Sequence, residues 1–164
     1  KGSVKFYQGI LLLSPFLIGL KLGFLHNEKV KIKFLKHFFK NIEVNEFKAM
    51  AQDFAIKKIA VDLNKKTFQH FLEHIQLNHT VCIVSASCGD WIQPWSNQYR
   101  VSFIGSELEI INQKITGNLT TKNCYGIEKV NRIKAVYKLD AFDVIQVYGS
   151  GKGDLEMLQL SKTQ

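Results

Sequence analysis

Near residue 60 the spacing of apolar side chains changes character, and that change divides what the chain can fold into. From Val4 to about Ile59 apolar residues recur at helical spacing, as in Phe34, Leu35, Phe38 and Phe39 between Lys31, Lys33, Lys36 and Lys40. Breaks at Ser14-Pro15, over Gly23 to Asn27 and over Asn41 to Asn45 predict three or four short helices. From about Asn64 helices alternate with strands. Lys65 to Asn78 reads as a helix, Thr80 to Val84 as a strand buried on both faces, Cys88 to Tyr99 as a helix and Val101 to Ile104 as a strand. Glu107 to Ile111 and Lys114 to Leu119, joined by Asn112-Gln113, read as a hairpin. Tyr125 to Lys138 then reads as a helix and Phe142 to Tyr148 as a second buried strand. Strands separated by helices of this length predict an α/β fold with a parallel sheet. The expected division is a helical unit over 1–60 and an α/β core over 61–164.

At 164 residues, 46% hydrophobic and 22% charged, the chain can bury one sizeable core, which excludes a disordered tail, a collagen or a coiled coil. Twenty-two basic against fourteen acidic side chains give a net charge of +8, which favours anionic partners without naming them. Cys82, Cys88 and Cys124 are an odd number at spacings that suit neither a zinc ribbon nor a disulfide framework, so a reducing cytoplasm is the expected compartment. Lys1-Gly2-Ser3 shows no signal-peptide order and reads as a start inside a longer chain. The apolar run Gly9 to Leu20 is shorter than the roughly 20 residues a membrane span needs. A membrane partner is therefore not expected, and the run is left as cap core, dimer surface or membrane-facing patch.

Ligands of open parallel sheets bind beyond the carboxyl ends of the strands. Ser85-Ala86-Ser87 follows the first apolar strand, and Gly149-Ser150-Gly151-Lys152-Gly153-Asp154 follows the last. Both stretches are small and polar, so amides and hydroxyls could approach an anion there, each aided by the helix that follows. Lys129, on the helix between those strands, is the candidate cation for the same pocket.

These segments resemble motifs of the haloacid dehalogenase superfamily, in particular its phosphoserine-phosphatase-like group with a helical cap. Val81-Cys82-Ile83-Val84-Ser85-Ala86-Ser87 is similar to the second motif, a hydrophobic strand ending in Ser or Thr. Gly117-Asn118-Leu119 through Asn123-Cys124-Tyr125-Gly126-Ile127-Glu128-Lys129-Val130 resembles the segment bearing the third-motif lysine. Val144 to Gly149 with Asp154-Leu155-Glu156-Met157-Leu158 is similar to the strand, acidic loop and helix of the fourth motif. The resemblance implies a Rossmann-like core with an N-terminal helical cap and a Mg²⁺-dependent phosphomonoester hydrolase working through an aspartyl-phosphate. It implies that Ser85 and Lys129 are catalytic, that Ser85, Ala86 and Lys129 bind phosphate, and that Asp154 and Ser150 stand at the metal. A small phosphorylated substrate is the implied partner, chosen by cap residues such as Phe6, Phe16, Phe24 or His26. The sequence also departs from the pattern. No Asp-x-Asp-Gly-Thr occurs in it, and Ser150 replaces the first acid of the fourth motif, so a fragment or a degenerate homologue is expected.

Other signals point elsewhere. His70-Phe71-Leu72-Glu73-His74 satisfies the H-x-x-E-H pattern of a zinc peptidase class, with no third ligand in view. Gly151-Lys152 lacks the glycine and hydroxyl a P-loop needs at 146 and 153. Trp91, Trp95 and Tyr99 could stack bases, but that spacing suits core packing better, so nucleic acid is not an expected partner.

Overall fold

The computed structural model describes the backbone of residues 2–21 and 26–163, and the side chains of 11–20, 26–59 and 61–163. Helix α1 (Gly2–Lys21) continues through Ser14-Pro15, where a break is expected from the sequence. The reason is local. Pro15 has no N–H to donate to the carbonyl of Leu11, and the Ser14 hydroxyl donates to that carbonyl instead, at 2.7 Å. Of the expected break over Gly23 to Asn27, residues 23–25 lie outside the described residues. Helix α2 (Asn27–Phe39) ends just before the break at Asn41 to Asn45, where Asn41 takes φ 69°, and α3 (Val44–Phe54) begins. A π-helical segment, Ala55–Ile59, and the single turn α4 (Ala60–Asp62) continue it.

Most of the strand-and-helix alternation is present as read. Helix α5 (Lys65–Gln76) starts at Asn64, whose side chain accepts from the Thr67 amide at 3.1 Å. Strand β1 (Cys82–Cys88) leads into α6 (Gly89–Gln98), and β2 (Ser102–Ser106) returns parallel to β1, with Cys82 beside Ser102 and Ser85 beside Gly105. Strands β3 (Leu108–Ile111) and β4 (Lys114–Leu119) form the antiparallel hairpin, turned at Asn112 (φ 50°) and Gln113 (φ 60°) as a two-residue hairpin loop requires. Helices α7 (Ile127–Val136) and α8 (Leu155–Leu158) complete the order. The fold is α/β, with a parallel strand pair and flanking helices.

Three further expectations differ. Phe142 to Tyr148 is not a strand, because among the described residues its only ladder contact is the bridge of Ile145 to Lys162, and a strand needs a neighbour along its length. Strand β1 is half-buried from Cys82 to Ser87 rather than buried on both faces. Ser85-Ala86-Ser87 does not follow that strand but lies within it, as a bulge between Ser85 and Cys88.

The chain divides into two compact units, one of residues 1–48 and 108–121 and the other of 49–107 and 122–164. The hairpin thus belongs with the N-terminal helices. In that unit the turn after α2 pairs with β4, through Asn41 N–H to Ile115 O at 2.8 Å and Ile115 N–H to Ile42 O at 2.9 Å. Its core holds Phe47, fully buried with its ring edge-on to Phe39, together with Val30, Leu35 and Ile115. In the second unit Trp95 is buried against Phe68, Phe71 and Tyr99, while Trp91 and Tyr99 are half-buried.

Gly117 fixes how closely α2 lies on the hairpin. It takes φ +82°, and a Cβ there would sit 2.6 Å from Lys36 Cα and 2.7 Å from Lys36 N, both backbone atoms. Gly117→Ala should therefore lower stability by about 1–3 kcal/mol. The control is Gly89→Ala, whose Cβ would meet its nearest neighbour at 3.4 Å and should change little. Thermal unfolding of both variants checks this, and equal melting temperatures would refute the close-approach argument.

Candidate functional site

The second unit brings together three chain segments that are far apart in sequence. Lys129, in the first turn of α7, is only 5% exposed although its helix is amphipathic. Its Nζ donates to Asp154 Oδ1 at 2.7 Å and to the carbonyl of Val84 at 3.0 Å. A buried ammonium requires such acceptors, since its desolvation is otherwise uncompensated. Asp154 is also held from its own loop, where its Oδ2 accepts the amides of Ser150 at 3.2 Å and Gly151 at 2.9 Å. Burial alone would raise the Asp154 carboxyl. The hydrogen bond and charge of Lys129, with the two amides, outweigh it and hold the carboxyl below its ordinary value of 3.8.

Glycines let this loop close on its surroundings. A Cβ at Gly149 would meet Asp154 Cβ at 2.7 Å, and one at Gly153 would enter the Tyr125 ring at 2.3 Å. The Gly126 amide, at the start of α7, donates to Gly153 O at 3.0 Å and ties the loop to the helix that carries Lys129. The helix after the loop, α8, has four residues and adds no N-terminal anion site of the kind expected from the sequence.

On β1, Ser85 follows the residue whose carbonyl Lys129 reaches, and its Oγ accepts the Ser87 amide at 3.1 Å inside the bulge. The bulge is held by Ser106, which is fully buried. Its hydroxyl lies 3.0 Å from Ala86 O and 2.9 Å from Asn123 Oδ1, and it accepts the Cys124 amide at 3.0 Å. Arg132 of α7 donates to Gly105 O of β2 and, at 3.0 Å, to Glu128 of its own helix. None of Ser106, Asn123 or Arg132 stands out in the sequence, because the contacts that tie them to β1 and β2 are made to backbone atoms or to residues well away in the chain. Of the residues singled out there, Lys129 and Asp154 meet directly, Ser85 and Ala86 adjoin them through Val84, and Ser150 contributes its amide.

Asp154 and Ser150 do not fit Mg²⁺ as its holders. Mg²⁺ prefers several hard anionic oxygens. Here one carboxylate already accepts from an ammonium and two amides, and among the described residues no three His, Cys, Asp or Glu side chains are grouped to hold a metal ion. The H-x-x-E-H residues are likewise engaged with protein. His70 Nδ1 lies 3.0 Å from Glu73, while His74 places Nδ1 2.8 Å from His79 and Nε2 3.0 Å from the Tyr148 hydroxyl. Of the cap candidates, His26 is exposed ahead of α2 and Phe16 lies under the Lys33 ammonium, whereas the side chains of Phe6 and Phe24 lie outside the described residues.

Removing Asp154 leaves a buried cation behind. Asp154→Ala should cost about 3 kcal/mol of stability, measurable by urea unfolding. Because the folded-state carboxyl titrates below its unfolded value, its contribution is full above pH 3.8 and is lost as pH falls through the lower, folded value. The wild type should lose more melting temperature in acid than Asp154→Asn, and parallel acid profiles would remove this pair from the linkage.

A family model for haloacid dehalogenase-like hydrolases matches residues 3–159. No curated protein matches the chain. Nine chains of solved structures do, among them a protein of unknown function from Bordetella pertussis Tohama I. That structure superposes with a TM-score of 0.78 at 17% identity, covering 91% of this chain and 69% of its own. At that identity the likeness is one of fold. With nearly its whole length matched by the family model, the chain belongs to the haloacid dehalogenase-like hydrolase family.

Proposed function

We propose that the chain holds a phosphoryl group at the carboxyl end of β1 and serves a phosphomonoester hydrolase of the phosphoserine-phosphatase-like kind. The observation that carries this reading is the buried Lys129 ammonium beside β1. Two of its three N–H groups go to Asp154 and Val84, and the third would be donated to a phosphoryl oxygen. The Ser85 oxygen accepts the Ser87 amide, which leaves its O–H to donate to a second oxygen, next to the backbone of Ala86. Donors fixed before the ligand arrives stabilise phosphoryl charge without reorganisation. Asp154 acts here as a positioning residue that keeps Lys129 in place.

The attacking carboxylate of an aspartyl-phosphate mechanism is not among these groups, since the 164 residues contain no Asp-x-Asp. These residues bind and orient the phosphoryl group and offset its charge. A second reading, a phosphate-binding domain without turnover, is favoured by Ser150 standing where the family carries an acid. Three cysteines that are thiols rather than disulfides suit a reducing cytoplasm under either reading.

Calorimetry with inorganic phosphate and phosphoserine, and p-nitrophenyl phosphate turnover with and without Mg²⁺, test both. Lys129→Met should weaken phosphate binding at least tenfold. Ser85→Ala, which removes one hydrogen bond on a half-buried strand, should weaken it about threefold to tenfold. Turnover that is lost in Lys129→Met selects the hydrolase, and binding without turnover selects the binding domain. Binding that neither substitution alters overturns both.

A further inference from the structure

The most uneven feature of the chain belongs to the unit of residues 1–48 and 108–121. That unit carries ten basic against four acidic side chains, while the other carries twelve against ten, so six of the eight excess positive charges are here. The excess is also ordered. Lys29, Lys33, Lys36 and Lys40 recur at helical spacing along α2 and its C-terminal end and are exposed, although the backbone of Lys36 packs on Gly117 of β4 and its charge faces Glu109, while Val30 and Leu35 of the same helix are buried.

The same unit carries an apolar surface. Residues 11–20 of α1 contain no charged side chain, and Leu13 is buried at 5% exposure. Leu11, Pro15 and Ile18 form the opposite, exposed stripe, with Leu11 at 75% and Ile18 at 58%, flanked by exposed Leu12 and Leu17. A helix apolar around its circumference needs an apolar environment on every side, and α1 has one on only part of it. The two helices meet where the Lys33 ammonium of α2 sits 4.1 Å above the Phe16 ring of α1, one helical turn from exposed Leu12.

We propose that this face docks on the surface of an anionic lipid bilayer, with the α1 aliphatics in the acyl boundary and the α2 lysines at the headgroups. The pairing of the two features selects this occupant. Exposed leucines gain nothing from a nucleic-acid backbone, and a second copy would bring a face of the same positive charge against the first. No described helix is long and apolar enough to cross a membrane, so the contact is with the surface. The Ser14 hydroxyl satisfies the Leu11 carbonyl that Pro15 leaves without a donor, which suits a helix whose outer face meets a poorly hydrated boundary.

Flotation of the whole chain with phosphatidylcholine vesicles, alone or mixed with phosphatidylglycerol, tests the proposal. Binding should require the anionic lipid and weaken as salt rises. Lys29→Ala with Lys33→Ala should weaken it about 25-fold, at about fivefold per lysine. Leu11→Ser with Ile18→Ser changes exposed positions only, so melting should be unchanged while vesicle binding falls. Failure to bind, equal binding to neutral vesicles, or binding that survives both pairs of substitutions overturns the proposal. So does a dimer that the serine pair dissociates, or a preference for oligonucleotides over vesicles.

Discussion

An ammonium cannot be buried without an acceptor, and the second unit is organised around meeting that condition at Lys129. Its two acceptors come from different places, a carbonyl on β1 and a carboxylate on the loop before α8. Strand, helix and loop are thereby fixed to one point. Among the described residues the segment leading into the loop makes a single bridge and no ladder. The loop's conformation depends instead on the Asp154 carboxylate accepting two of its amides and on glycines that allow close approach to Tyr125. Removing one member of a buried pair costs more than the pair contributes, so the arrangement is stable only when complete.

The β1 bulge adds a second constraint. A bulge takes residues out of ladder pairing and leaves their backbone groups in need of partners. One buried hydroxyl, that of Ser106, meets this need while also receiving the amide of Cys124. The same side chain therefore sets both the shape of the strand end and the entry into α7. Polar networks of this kind are effective only when every member is satisfied. The position of Ser85 thus depends on β2 and on the loop after the hairpin, as well as on its own strand.

Much of this was legible in the chain itself. Helical spacing before residue 60, the alternation after it and the Asn112-Gln113 turn all express local preferences, and the elements formed close to where those preferences place them. Lys129, Asp154 and Ser85 were visible as candidates because a lysine, an acid and a small hydroxyl residue stand at family spacing. Pro15 misled because its usual effect is judged from the proline alone, whereas the adjacent Ser14 hydroxyl restores the missing donor. Phe142 to Tyr148 misled because apolar composition reports a tendency to extend, and a strand also needs a partner.

What the sequence determined by itself was the class of fold, most of the order of its elements and the residue types of the candidate site. These follow from periodicity and from chemistry carried by single side chains. Only the tertiary structure decided that Lys129 is buried and paired, that one hydroxyl holds the bulge, and that Lys33 of α2 lies over Phe16 of α1 while other aliphatic side chains of α1 stay exposed. The reason is the range of the forces. Helix and turn preferences act over a few residues, whereas burial and ion pairing depend on groups brought together from distant positions, about which neighbouring residues carry no information.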